Sequence, residues 1–211
     1  MRRVRHALLV LAAVALLSAC AAGDKGQRPL VYDFGPGAGT AATPAWVAGE
    51  APLVLAPLEA SAALDGTAVL YRLAYADAQQ LRPYALARWS ATPAQLLQQR
   101  LREHLGAQRV VLAAGDALAS ARGTEPGPRT LRITLEEFSQ VFDAPDKSAG
   151  LLRLRATLLQ STPGGERLVA QRGFVVRQPA GSGDASGGVR ALTAAADMCA
   201  QQLADWLARQ P

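Results

Sequence analysis

Few side chains in this sequence combine a reactive type with a telling spacing, and the clearest is Cys20 in Leu17-Ser18-Ala19-Cys20. Small residues before a cysteine suit a signal-peptide cleavage site, and a cysteine thiolate is a nucleophile. Upstream, Arg2, Arg3 and Arg5 precede an apolar run from Ala7 to Leu17. Those eleven residues fall short of the roughly 20 that a helix needs to span a bilayer. A basic region, a short apolar core and small residues before a cut site read as a secretory signal peptide over residues 1–19.

The ending is more specific than an ordinary cleavage site and is identified as the lipobox of bacterial lipoproteins. That resemblance implies a diacylglyceryl group on the Cys20 sulfur, cleavage before it, and a further acyl chain, palmitate for example, on the freed amine. Several chains, at about 0.8 kcal/mol per buried CH₂, make a stable anchor. Ala21, where an aspartate would signal inner-membrane retention, points to the outer membrane, on its periplasmic face.

The remaining candidates for chemistry are sparse. With residues 1–19 removed, 19 basic side chains face 17 acidic ones, so the +5 of the full chain falls to +2. No basic stripe interleaved with aromatics remains, which excludes a nucleic-acid footprint. The mature chain keeps one histidine, His104, and one unlipidated cysteine, Cys199, too few for an intrachain disulfide or a Cys/His zinc site. Cys199 falls on an apolar helical stripe and reads as a small core residue. The glycine-rich loop 180–188 has Ser186 where GxGxxG needs glycine and has no Lys-Ser/Thr pair, so no nucleotide or other cofactor is expected; Ser186 reads as a helix cap. A periplasmic hydrolase is a remote alternative, because His104 has no GxSxG nucleophile elbow beside it. Glu136 and Glu137 are adjacent and point to opposite faces of a regular strand, while Asp143, Asp146 and Lys147 around Pro145 read as a surface turn.

The elements that position these residues follow from patterning. The composition, 50% hydrophobic and 18% charged over 211 residues, is that of a folded chain. Residues 20–29 read as a lipidated N-terminus and tether, whose reach is roughly 30 Å at about 3.6 Å per residue. Strands are expected at 30–34, 53–58, 68–75, 110–112 and 131–142, and then at 152–160 and 168–177 as a hairpin about Pro163-Gly164-Gly165. Residues 35–44 are too rich in Gly and Pro for a regular element. A β-bulge at Glu136 or Glu137 would bring Leu131, Ile133 and Leu135 onto one face with Phe138 and Phe142. Thr92-Pro93-Ala94-Gln95 is a capping box, so a helix starts there and carries Leu97, Leu101 and Leu105 to Gly106. A last helix carries Val189, Leu192, Ala196, Cys199, Leu203 and Trp206 on one stripe. The expected architecture is one α+β domain over residues 30–208, an antiparallel sheet with two amphipathic helices packed on one face.

Within that domain Leu64-Asp65-Gly66, Leu70-Tyr71-Arg72, Tyr84, Arg88-Trp89, Pro93, Leu96-Leu97 and Arg100-Leu101 follow Tyr32-Asp33-Phe34-Gly35 and precede Glu137-Phe138 and Phe142-Asp143. With the lipobox, this ordered set resembles the ABC-type transport auxiliary lipoproteins, the paraquat-inducible protein C-like family. Ala91-Thr92-Pro93 stands where many relatives carry a Pro-Pro pair. The resemblance implies a non-catalytic accessory of MCE-domain ABC transporters, which move lipid between the inner and outer membranes. Its implied partners are the MCE protein with its transporter and the outer-membrane lipid, and it leaves room for a homo-oligomer. Tyr71, Arg72, Tyr84, Arg88 and Trp89 are the residue types enriched at interface hot spots, so they are the candidate partner surface; packing is the other reading of the same set. A lipoprotein assembling an envelope polymer or another outer-membrane complex is the alternative function.

Overall fold

The computed structural model describes residues 27–37, 52–115 and 127–210. The leader, Cys20, most of the tether and the loop from residue 38 lie outside them. The strands are β1 (Leu30–Tyr32), β2 (Leu53–Leu55), β3 (Glu59–Ala60), β4 (Ala68–Leu73), β5 (Arg82–Trp89), β6 (Val111–Ala113), β7 (Arg129–Ala144), β8 (Lys147–Thr162) and β9 (Gly165–Pro179). The helices are α1 (Ala74–Asp77), α2 (Pro93–Gly106) and α3 (Ala185–Leu207).

All nine strands join one curled sheet built on β7. Along one edge of β7 the chain lays down three short strands in succession. Leu53 pairs with Arg129, Glu59 with Thr134, and Tyr71 with Gln140, all parallel. The other edge carries the long antiparallel meander β7–β8–β9. β6 extends the sheet beyond β2, and β5 and then β1 extend it beyond β4. The expectation of a purely antiparallel sheet is therefore corrected: the sheet is mixed, because β2, β3 and β4 run alongside β7 in the same direction and reach it through non-local pairing.

The bulge falls where the patterning places it. Leu135 faces Leu154 and Glu137 faces Arg153, leaving Glu136 as the extra residue. Leu131, Ile133, Leu135, Phe138 and Phe142 are consequently all buried. α2 and α3 cover this face, while α1 packs against β7 beside Glu137. α2 begins with the expected reciprocal cap: Thr92 Oγ1 accepts from Gln95 N at 3.3 Å and Gln95 Oε1 accepts from Thr92 N at 3.1 Å. It ends at Gly106 with Ala107 in ordinary right-handed geometry, so glycine's left-handed freedom is unused there.

α3 is capped by Asp184, whose carboxylate accepts from Gly187 N at 2.7 Å; Ser186 lies inside the first turn, a correction to its expected capping role. The bonds from Gly187 N and Ser182 hold the Asp184 carboxyl below its ordinary pKa. The helix rests directly on β8 at Gly150, where a Cβ would lie 2.6 Å from the backbone of Ala191 and Leu192. Gly150→Ala must therefore push α3 off the sheet. We expect a loss of roughly 2–3 kcal/mol, the upper part of the range for overpacking, because backbone cannot rotate aside. Chemical denaturation checks it, and an unchanged midpoint would show that this contact is looser than the geometry states.

Candidate functional site

The five residues singled out by type divide between the two faces of the sheet. Trp89 is 2% exposed and packs edge-on against Phe34, with centroids 5.6 Å apart, and against Phe138 at the same distance. Tyr71 and Tyr84 stack at 4.6 Å on the same inner face. The Tyr84 hydroxyl donates to Gln140 Oε1 at 2.8 Å, and burial pushes its pKa up to about 12. Gln140, itself fully buried, donates to Ser148 Oγ and to the Ser182 carbonyl, closing a polar network at the start of α3.

Arg72 and Arg88 lie on the outer face. Arg72 forms a fork on Glu137, at 3.3 and 3.1 Å, and also donates to the carbonyls of Ala78 and Gln79, so it fastens the segment after α1. Arg88 is exposed beside Val31 and, among the described residues, has no hydrogen-bond or ion-pair partner. The bulge turns Glu136 and Glu137 toward one face, where Glu136 pairs with Arg153 and Arg155 and Glu137 with Arg72. Both carboxylates are thus held by arginine rather than poised as an acid and base.

Close to Arg88 the sheet ends at β1, whose outer edge has no strand partner among the described residues. A cleft of about 510 Å³ lies between β1 with its following turn and α3. Asp33, Phe34 and Gly35 form one wall, and Arg190, Thr193, Ala194 and Asp197 the other. Asp33 Oδ1 accepts from Gly35 N at 2.7 Å, and Gly35 takes φ 65°, the left-handed region that glycine enters without strain.

Arg100 holds this wall in place. The residue is 6% exposed, and its guanidinium donates to the carbonyls of Phe34 at 2.6 Å and Gly35 at 3.0 Å and to Asp197 Oδ1 at 2.5 Å. One side chain therefore ties the turn after β1 to both helices. The α3 wall was not singled out from sequence; its only signal is that Arg190, Thr193, Ala194 and Asp197 form the helix's stripe opposite its apolar one.

The chemistry-bearing residues lie elsewhere. His104 Nε2 is 3.2 Å from Gln201 Oε1, bridging α2 to α3. Cys199 is fully buried, and desolvation pushes its thiol up to about 12. Among the described residues no cluster of His, Cys, Asp and Glu could hold a metal ion, and no helix is long and apolar enough to cross a membrane.

The chain is thus an α+β domain with a half-open cleft beside a strand edge that has no partner among the described residues, held by one buried arginine. The sequence matches the family described as ABC-type transport auxiliary lipoprotein component over residues 32–204, and the chain belongs to that family. A crystal structure of a Xanthomonas campestris protein superposes with a TM-score of 0.66 at 22% identity, covering 84% of this chain and 94% of that one. An uncharacterized protein gives 0.53 at 17% identity, covering 74% and 92%. A hypothetical protein from Chlamydia trachomatis gives 0.50 at 9% identity, covering 75% and 95%. These likenesses establish the fold. A comparison with curated proteins finds no match.

Proposed function

We propose that this lipoprotein sits on the periplasmic face of the outer membrane and serves, without catalysing a reaction, as the accessory subunit of an MCE-type ABC transporter that moves lipid between the two membranes. In this reading residues 1–19 are removed, Cys20 carries the acyl chains, 20–29 form the tether, and 30–208 form the docking domain. The family match over residues 32–204 carries the proposal. The lipobox, with Ala21 after its cysteine, supports the membrane assignment.

The surface offered to the MCE protein is the β1–α3 cleft with the neighbouring Arg88. A free edge can accept main-chain bonds from an extended segment, and an unpaired exposed arginine can meet a carboxylate on it. Photo-crosslinkers at Thr193, Ala194 and Val31 should capture the MCE protein in cells. Arg88→Glu should weaken that capture roughly tenfold, about 1.4 kcal/mol, with no change in melting temperature. Failure to capture any MCE protein, with lipoprotein folded and transporter expressed, would overturn the accessory role.

The anchor is tested separately. Cys20→Ser should leave an uncleaved or mislocalised protein that takes up no acyl label. An unmodified N-terminus on the wild-type mature chain, read by mass spectrometry, would refute lipidation.

A further inference from the structure

The opposite end of the sheet poses a different question, independent of the transporter reading. β9 is an edge strand of 15 residues that pairs only with β8 among the described residues. Long open edges are hazardous, and proteins blunt them with charged side chains, lysine above all, with proline, β-bulges or covering segments. β9 has no lysine and its only proline is its last residue, so its guards are three arginines and one bulge, none of which fills the unpaired main chain of the edge. Two aliphatic side chains stand on it in solvent, Leu168 at 57% and Val175 at 64% exposure.

The register of β9 explains their placement. Leu158 faces Ala170 whereas Leu159 faces Leu168, so Val169 is an extra residue. That bulge puts Glu166 and Leu168 on the same outer face as Gln171, Gly173, Val175 and Arg177, despite their different parity.

We propose that β9 is a self-association edge, and that its occupant is β9 of a second copy of this chain, antiparallel about a two-fold axis through Arg172. With both bulge residues looped out, Leu168 of each copy lies opposite Val175 of the other, and Glu166 lies opposite Arg177. The exposed aliphatics thus cover each other. Within one chain Glu166 is already bonded to Arg132 and Arg177 to Asp143, so the joint completes an alternating row, Arg132, Glu166, Arg177 and Asp143, on each side of the axis. Opposed aliphatic and opposite-charge pairs are the contacts that stabilise an antiparallel ladder. The one like-charge meeting is Arg172 at the axis, where the guanidinium carbon lies 5.0 Å from the centre of the Phe174 ring of its own strand. An isologous joint of this kind closes at two copies.

The test uses the full-length acylated protein in detergent, oxidised with diamide. Directly opposed residues of an antiparallel pair have Cα atoms about 4.5–5.5 Å apart, which a disulfide can bridge. Arg172→Cys should yield a dimer whose peptide map joins the two 172 positions. Arg153→Cys, exposed on β8 but away from the edge, should yield none. Val175→Asp added to Arg172→Cys should lower the trapped fraction roughly tenfold, and alone should leave the circular dichroism spectrum native while removing the concentration dependence of the melting temperature, since residue 175 is in solvent within one chain. Sedimentation should show dimers for the wild type and monomers for Val175→Asp. A wild type that stays monomeric at every concentration, or equal trapping at 153 and 172, would overturn the proposal.

Discussion

Trp206→Ala should destabilise the domain by roughly 3–5 kcal/mol, the range for truncating a large core side chain. The indole is 6% exposed and stands edge-on to Phe174, with centroids 5.9 Å apart. It is where the end of α3 meets the last long strand, and Leu203 and Leu207 bury beside it. Smaller neighbours cannot close over the space, because α3 is already in backbone contact with β8 at Gly150. For a chain of this size the loss corresponds to a fall of about 10 °C in melting temperature. Calorimetry would decide it; a soluble variant melting at the wild-type temperature would show that α3 is not docked as described.

Arg100→Met should cost roughly 2–4 kcal/mol and act first on the cleft. Methionine keeps the apolar stem but strands the carbonyls of Phe34 and Gly35, each of which loses its charged donor. Asp197 adds less, because its side chain is 42% exposed and water can replace the guanidinium. Amide exchange in residues 30–37 should accelerate well before that of β7 and β8, since the turn after β1 loses its hold on the helices. Arg100→Lys should not rescue it, because an ammonium cannot reproduce the planar fork that reaches two carbonyls and a carboxylate. Wild-type exchange rates in the lysine variant would show that charge alone suffices.

These two residues differ in how openly the sequence announces them. Trp206 ends a stripe at helical spacing, so its burial follows from periodicity. Arg100 looks like any arginine on a helix, flanked by Gln99 and Leu101. Its burial depends on Phe34, Gly35 and Asp197, which lie 65 to 97 residues away along the chain. The same division runs through the fold. The capping box, the leucines of α2, the bulge at Glu136 and the β8–β9 hairpin are local patterns and were legible. β5 carries no alternating pattern in the sequence, since Pro83 and a shift of register between Ala68 and Leu70 break it. The 68–75 strand stops at Leu73 because Ala74–Asp77 turn into α1. Parallel pairing of β2, β3 and β4 with β7 leaves no local mark, since the partners are separated by about a third of the chain. In the candidate site, residue type alone groups Tyr71, Arg72, Tyr84, Arg88 and Trp89, but strand direction and bulges divide them between two faces, and of the five only Arg88 stands exposed without a partner among the described residues.

The parallel pairing along β7 also sets an order of events. β2 and β3 find their partners only in residues 129–135, about 75 positions later, and β4 waits for Gln140 to Phe142. Closing loops of that length before any contact forms is slow. The hairpins β7–β8 and β8–β9, joined by turns of two residues, close far sooner. Folding should therefore start from the C-terminal meander, with the N-terminal half collecting on it afterward. A chain made from its N-terminus onward consequently cannot complete its sheet until about three quarters of it has been synthesised, which leaves the apolar faces of β2, β3 and β4 uncovered meanwhile.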